Sequence, residues 1–330
     1  MINEIPTILT IVGGYILTSA FFFRYPTLIH RKKSIKFIAK HISHRGGAGE
    51  YYENTITACK RAQELGTDML EIDCHITKDK QVVVFHDSNL RRLTGIDSNV
   101  SDLNYNELPL LKSVVSVDFV PGYYYKNENS NMADRRIPLL EEMFKMFVNV
   151  PMNIDIKTDD DELICEVSKL ITRYNRENYC VWGNANCIVN DKCFEANPKV
   201  NLFFSKKRVF MLFLYYYSGL LPFMPIKETH LEIFLPSIYT NHPDYQKFGV
   251  ISKLMLQFFD YLMIRKSLFL HLRRRGIQVY VWVLNEEKEF EKAFKAGATG
   301  VMTDFPTKLS TFMRENEILI QEAQSLCETL

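Results

Sequence analysis

The sequence has almost no net charge: 40 Lys plus Arg stand against 39 Asp plus Glu, a formal +1 over 330 residues. That balance gives no support for nucleic-acid binding, so any basic effect must be local. A disulfide framework is missing as well. The seven cysteines, at 59, 74, 165, 180, 187, 193 and 327, form no C-x-x-C pair and no metal-ligand spacing, and their number is odd. This is the pattern of free thiols in a reducing compartment. There is no internal repeat and no low-complexity tract. No G-x-G-x-x-G opens the first helix, which argues against a doubly wound fold. The hint of secretion is confined to one sequon, Asn99-Val100-Ser101, a triplet common by chance.

Charge is also absent from Ile5 to Phe23, a stretch of 19 residues. As a helix it is about 28 Å long, enough to cross a bilayer. A cleaved signal peptide is one reading, since Thr18-Ser19-Ala20 is a passable cleavage site. Against it, Glu4 precedes the stretch and no Lys or Arg does, the reverse of a signal n-region. Arg24, Arg31, Lys32, Lys33, Lys36 and Lys40 follow it. The expectation is a transmembrane anchor over 1–24 and a basic linker over 25–39, with the catalytic part facing the cytosol by the positive-inside rule. A second uncharged run, Val209 to Ile226, is bracketed by Lys206-Lys207-Arg208 and Lys227. Gly219, Pro222 and Pro225 break a continuous helix, and later strands must close the same barrel as earlier ones. The run therefore reads as an apolar hairpin dipping into the near leaflet, with a buried barrel helix as the alternative.

What the chain does have is alternation of short apolar strands and amphipathic helices. Strand candidates end at His44, Asp73, His86, Lys157, Asn184, Ser205, Asn285 and Asp304. Helices are expected over 54–65, 139–147, 161–174, 186–196, 250–275, 286–296 and 306–316. This is the pattern of an α/β (β/α)8 TIM barrel over 40–316, followed by a C-terminal tail over 317–330. Residues 88–136, with Tyr123-Tyr124-Tyr125 and an Asn-rich turn at 127–131, form an insertion after the third strand. Connections of that length are usually lids or inserted subdomains.

Charged residues closing buried strands mark a site, because a core tolerates them poorly. Glu71 and Asp73 lie two apart on a strand and leave the same face. Asp155, in Asn153-Ile154-Asp155-Ile156-Lys157, approaches from the next strand. Converging carboxylates repel unless neutralised, and a hard divalent cation such as Mg²⁺ or Ca²⁺ accepts such oxygen ligands. A salt bridge is the ordinary role for any one of them alone. His44 and His86 each follow an apolar run, and paired imidazoles beside a metal suit general acid–base chemistry. His86 fits equally well as a metal ligand. Arg45, with Lys157 opposite, supplies positive charge for a phosphate. His75 continues the face of Glu71 and Asp73.

In order along the chain come His44-Arg45-Gly46 with Glu53-Asn54-Thr55, then Glu71-Ile72-Asp73-Cys74, then Thr77-Lys78-Asp79 with Val83-Val84-Phe85-His86-Asp87. Val281-Trp282-Val283-Leu284-Asn285 and Gly300-Val301-Met302-Thr303-Asp304 close the series. Over about residues 40–315 the chain thus resembles the glycerophosphodiester phosphodiesterase family. The resemblance implies a (β/α)8 barrel in which His44 and His86 are the acid–base pair. By the same resemblance Glu71 and Asp73 bind the divalent ion, Arg45 holds the phosphate, and Trp282 walls the glycerol pocket. The anchor, the Ser43-to-Glu50 stretch and the apolar run look most like the animal membrane-bound lysophospholipase D branch. Three positions depart from the commoner pattern. Asp155 stands where many members carry glutamate, Tyr52 replaces a proline, and Val181-Trp182-Gly183-Asn184 is unlike its usual strand.

The resemblance implies metal-dependent hydrolysis of lysoglycerophospholipids at a cytosol-facing membrane, that of the endoplasmic reticulum. The products would be lysophosphatidic acid and the head-group alcohol, including N-acylethanolamine from N-acyl lysophosphatidylethanolamine. The partners expected are a lysophospholipid and a membrane; no nucleic acid is expected and no protein partner is inferable. One alternative is cleavage of soluble glycerophosphodiesters to glycerol 3-phosphate. A catalytically silent membrane scaffold is the other, and intact His44, Arg45, Glu71, Asp73 and His86 argue against it.

Overall fold

Alternation along the strands sends side chains into two different cores, and it is this sorting that builds the barrel. The computed structural model describes residues 4–127, 131–241, 245 and 247–325. Helix α1 (Glu4–Arg24) leads into β1 (His41–Ser43), α2 (Ile56–Glu64), β2 (Met69–Ile76) and β3 (Val82–Val84). The insertion carries the single-turn α3 (Arg91–Thr94) and the antiparallel pair β4 (Val114–Ser116) and β5 (Tyr124–Lys126). Its Asn-rich turn lies partly outside the described residues. Next come α4 (Leu140–Met146), β6 (Met152–Ile156), α5 (Asp161–Arg173), β7 (Cys180–Gly183), α6 (Cys187–Ala196), β8 (Asn201–Leu202) and α7 (Lys206–Ser218). Strand β9 (His230–Phe234), α8 (Val250–Met263), α9 (Lys266–Arg274) and β10 (Gln278–Trp282) follow. The last elements are α10 (Glu287–Lys295), β11 (Gly300–Thr303), α11 (Pro306–Glu315) and α12 (Glu317–Ser325).

Eight parallel strands run in the order β8-β7-β6-β2-β1-β11-β10-β9, and a single parallel bridge between Phe203 and His230 brings the two ends together. The nearly closed ring is the expected TIM barrel, with one exchange of strands. The run ending at His86 is not a barrel strand: β3 pairs antiparallel with β2 as the return arm of a hairpin. Only a tight turn joins them, with Lys80 in the left-handed region, and a parallel return needs a dozen or more residues. The place it leaves is taken by β9, which the sequence reading passed over.

Outward-facing Leu70, Ile72, Cys74, Ile154, Ile156 and Trp182 pack beneath the helices of one half, and Leu231, Ile233, Val279 and Val281 beneath those of the other. Inward-facing Ile42, Met69, Val181, Phe203, Tyr280 and Met302 fill the barrel. Truncating one such residue to alanine costs about 2–5 kcal/mol. The same inward rows continue toward the strand ends as polar residues. Ile42 is followed by His44, Met69 by Glu71 and Asp73, and Met302 by Asp304. The apolar floor thus puts the charged groups at the C-terminal rim, where TIM barrels carry their sites.

Two apolar expectations change shape. Residues 206–218 form α7, a wall helix between β8 and β9, ended by Gly219 with φ +77 and followed by a 3-10 turn over Leu221–Phe223. The reentrant hairpin is therefore replaced by a helix whose Leu212 is buried and whose Phe210, Leu214 and Tyr217 are exposed. The helix expected over 250–275 breaks at Ile264 and Arg265, where the backbone becomes extended. Leu268, Phe269 and Leu272 hold α9 in the wall, while α8 has no buried residue.

Helix α1 is long and apolar enough to cross a membrane, and only 6 % of its Thr7–Arg24 stretch is buried in the molecule. Its second half rests on the end of α7: Tyr15 Oη donates to the Ser218 carbonyl at 2.5 Å and Ser19 Oγ to that of Gly219 at 2.6 Å. Phe23 stacks on His271 with centroids 4.4 Å apart. At the other terminus Ile320 and Ala323 bury α12 against the outer core, and residues 326–330 of the expected tail lie outside the described residues. The six described cysteines are free, and Cys327 is outside the described range.

Candidate active site

The first turn after β1 builds much of the site. Arg45 has φ +50, in the left-handed region, at a cost of roughly 1–2 kcal/mol that the surroundings must hold in place. Gly46 and Gly47 continue the turn at φ +77 and +106. A Cβ on Gly46 would meet Cys59 Sγ at 2.9 Å and one on Gly47 would meet the Pro306 ring at 2.8 Å. The strained turn aims the Arg45 backbone N–H at Glu71 Oε2, 2.8 Å away. Asn54, also left-handed at φ +60, donates through Nδ2 to Asp73 Oδ2 at 2.8 Å. These two contacts explain why the HRG and Glu-Asn-Thr segments belong together.

Both candidate acid–base histidines are held by a carboxylate at Nδ1. His44 Nδ1 lies 2.6 Å from Asp304 Oδ1, and His86 Nδ1 lies 2.6 Å from Asp87 Oδ1. A carboxylate only accepts, so each contact places the hydrogen on Nδ1 and leaves Nε2 for chemistry. His44 Nε2 stands 3.9 Å from Glu71 Oε2. His86 is close enough to act on the charges of Asp73 and Asp155, and its carbonyl is bonded to His75 Nε2 at 3.1 Å. That bond, and the burial that lowers the His75 pKa, make His75 a support for the His86 backbone.

Between the histidines lies an acidic cluster. Glu71 and Asp73 project from β2, and Asp155 stands directly beside Asp73 across the β2–β6 ladder. Burial, with Asp73 as neighbour, pushes the Glu71 carboxyl well above the usual range, and burial also raises Asp155. For Asp73 burial acts the same way but is overridden by Lys157, Arg45 and His86, which hold it well below. Lys157 Nζ bridges Asp155 Oδ2 at 2.9 Å and Asp73 Oδ1 at 3.1 Å. Arg45 Nη1 lies 2.9 Å from both Glu53 Oε1 and Asp118 Oδ2, with Nε 3.5 Å from Asp73. Arg92 joins Glu53, Asp87 and Asp118 to the same network. Three cations thus face six carboxylates, and the cluster stays acidic.

That surplus, and one orphaned atom, test whether a divalent ion suits the site. Asp155 Oδ1 is shut from solvent without a hydrogen-bond partner, although the side chain as a whole is 29 % exposed. An unpaired buried carboxylate oxygen beside Glu71 and Asp73 is the donor chemistry of a hard cation. Among the described residues it is His86, Asp87 and Asp118 whose three ligand atoms lie within 4.8 Å of one another. Arg92 pairs with both carboxylates of that group, as Lys157 does with Asp73 and Asp155, so it is the orphaned Asp155 oxygen that favours the Glu71–Asp73–Asp155 set. An open cleft of about 650 Å³, lined by His86, Asp87, Arg92 and Lys157 among others, gives access.

Residues 44–308 match the model of the glycerophosphoryl diester phosphodiesterase family. The chain belongs to that family. It is similar to the lysophospholipase D GDPD1 of Homo sapiens, 50 % identical over 93 % of this chain and 96 % of the relative. Lysophospholipase D GDPD3 of Homo sapiens is 40 % identical over 92 % and 93 %. Among solved structures, a glycerophosphoryl diester phosphodiesterase domain from Mycobacterium tuberculosis superposes with a TM-score of 0.65 at 16 % identity, covering 83 % of this chain and 98 % of that one. A phosphodiesterase of Oleispira antarctica, solved with the product sn-glycerol-3-phosphate, gives 0.58 at 17 %, covering 84 % and 97 %. At these identities the structures show a shared fold.

As a member of the glycerophosphoryl diester phosphodiesterase family the protein is a phosphodiesterase, and its rim gathers every residue singled out from the sequence. His44, Arg45, Glu71, Asp73, His86, Asp155 and Lys157 form one connected cluster. Trp282 flanks it, 6.2 Å from Phe119 between ring centroids, and Phe119 in turn meets His44 edge-on at 5.4 Å. Four participants were missed. Arg92, Asp118 and Phe119 come from the insertion, where no periodicity points to the site. Glu232 on β9 belongs to no strand-end motif, yet it sits among the inward residues, accepting from Asn153 Nδ2 at 2.8 Å. Burial, with Asp155 nearby, pushes its carboxyl up to about 8. The alternation in His230-Leu231-Glu232-Ile233-Phe234 is the signal that could have found it.

Proposed function

We propose that this phosphodiesterase hydrolyses lysoglycerophospholipids on the head-group side of the phosphate, giving lysophosphatidic acid and the free alcohol. N-acylethanolamine is the corresponding product from N-acyl lysophosphatidylethanolamine. The observation that carries the chemistry is the pair of Nδ1-anchored histidines on either side of the acidic cluster. One Nε2 removes the proton of the attacking oxygen and the other protonates the departing alkoxide, so that neither a strong base nor a poor leaving group forms. Arg45 and Lys157 meet the phosphate charge, and Trp282 walls the glycerol moiety. Glu71, Asp73 and Asp155, with His86 within reach, would hold a divalent ion, Mg²⁺ or Ca²⁺. Such an ion would stabilise charge building on the phosphate oxygens. The preference for a lysolipid is supported by the names of the relatives at 40–50 % identity and by the apolar elements on the barrel wall.

In this reading residues 1–24 anchor the chain, 25–39 are the basic linker, 40–316 are the catalytic barrel with its 88–136 insertion, and 317–330 form the C-terminal segment. The exposed side of 209–226 contacts the membrane, which is that of the endoplasmic reticulum with the barrel on the cytosolic face. The test is mass spectrometry of products when the full chain, in vesicles, meets mixed lysophospholipids and glycerophosphocholine, with and without chelator. Lysophosphatidic acid that disappears with chelator is the expected result. Glycerol 3-phosphate as sole product would move the activity to soluble diesters, and chelator-resistant turnover would remove the metal.

A further inference from the structure

Helix α8 is a wall helix that the wall does not hold. Its apolar residues fall on one stripe, Val250 and Ile251, Leu254 and Met255, Phe258 and Phe259, each pair four residues from the next. They are 46–74 % exposed, and no residue of the helix is buried. Only two charged side chains occur on it. Asp260 is turned toward the barrel, accepting from the Ser237 N–H at 3.0 Å and paired with Lys292. Lys253, seven residues before Asp260, shares its side of the helix and lies 4.9 Å over the Tyr245 ring, so the stripe itself carries no charge; Arg265 stands just past the helix end, 4.3 Å over the Tyr261 ring.

Hydrogen bonds to neighbouring elements place this stripe. Tyr217 Oη of α7 donates to the Leu262 carbonyl at 2.7 Å, which ties the end of α8 to the exposed apolar side of α7. The end of α7 in turn receives Tyr15 and Ser19 of α1. At its inner side α8 is fastened to Ser237, just beyond the C-terminal end of β9, whose Phe234 ring lies 6.3 Å from Trp282. One flank of the barrel is thus apolar from the anchor helix to the rim of the site.

We propose that α8 is a second membrane contact, an interfacial helix lying in the headgroup region that seats the active-site rim on the bilayer. A bilayer is the occupant because the stripe is continuous with α1, whose own exposed apolar surface needs lipid. No charged residue interrupts the stripe, as burial of an apolar helix face at the acyl boundary requires. The proposal rests on the membrane reading of α1 given above. It also gives the acyl chain of a single-chain lipid a nonpolar path to the rim, so α8 selects membrane-borne over soluble substrates.

The test uses the full chain in vesicles of phosphatidylcholine with one-fifth phosphatidylserine. An environment-sensitive fluorophore is attached at Phe258→Cys, with C165S, C187S and C327S, and a control label is attached at Arg61→Cys. Lipids carrying a nitroxide near the headgroup should quench the label at 258 at least threefold and leave that at 61 unaffected. Equal quenching at both sites, or none at 258, overturns the proposal. So does a 258 signal that changes only with protein density, which would assign the stripe to a second copy. In a second arm, Leu254→Glu with Phe258→Glu should lower turnover of vesicle lysolipid tenfold or more and that of a short soluble diester by less than twofold. Equal losses overturn the role of α8 in substrate choice. Quenching at 258 in an enzyme that never accepts lysolipid would leave the membrane contact standing and remove the lysolipid reading instead.

Discussion

Asp304 and His44, 260 positions apart, meet at 2.6 Å on neighbouring strand ends. Asp304 is buried and also accepts from Asn285 Nδ2 at 3.0 Å, so its orientation is fixed from two sides. The contact sets the His44 tautomer and turns Nε2 toward Glu71.

His44→Ala and His86→Ala should each reduce kcat by about 10² to 10⁴ with the fold intact by circular dichroism. Asp304→Asn should lower kcat by at least tenfold and alter the pH–rate profile while KM stays nearly constant, because it disturbs the tautomer and not substrate contact. Near-normal kcat in either histidine variant removes that residue from the acid–base pair.

Glu71→Gln, Asp73→Asn and Asp155→Asn should each raise the divalent-ion concentration needed for half-maximal activity. Each deletes a negative charge from the set that fits a hard cation. Isothermal titration of the ion into each variant provides the check, and three unchanged titrations would place the ion elsewhere, with His86, Asp87 and Asp118 as the next set to vary.

Asp118 holds Arg45 Nη1 at 2.9 Å from the insertion, in the position where a substrate phosphate would compete. Asp118→Asn should therefore lower KM severalfold with kcat little changed, as expected when a ground-state competitor is weakened. Steady-state kinetics decide it: a rise in KM would make Asp118 a support of the Arg45 geometry.

Three buried histidines predict the acid limb of stability. Burial lowers the pKa of His41 to about 4, of His230 to about 3 and of His271 to about 4. In the unfolded chain they titrate near 6.5. Above that value both states are neutral and nothing is lost. As pH falls from about 6.5 toward 4 the unfolded state takes up protons that the folded state refuses. Stability then declines by on the order of 1.4 kcal/mol per pH unit for each histidine. Urea midpoints between pH 7 and 4 should show this decline, and His230→Gln should make it shallower. An unchanged slope would mean that other groups set the acid limit.

The motif residues were legible because strand alternation puts Glu71 with Asp73, and His44 above Ile42, on the inward face whatever the rest of the chain does. β3 was misplaced because an apolar run looks the same whether it returns antiparallel or enters the ring. The five-residue connection before it, 77–81, was the distinguishing feature. β9 was overlooked because its inward face is polar, His230 and Glu232, in a strand whose partners alone make that tolerable.

The sequence by itself determined an alternating βα barrel with seven of its eight strands, the shared inward face of Glu71 and Asp73, and the apolar character of α1, α7 and α8, because periodicity and residue chemistry are local. Only the tertiary structure decided that Asp304 orients His44, that Lys157 bridges Asp73 and Asp155, and that Asp118 and Phe119 reach the site from an insertion. Those contacts join segments tens to hundreds of residues apart, and closure of the barrel is what brings them within hydrogen-bond distance.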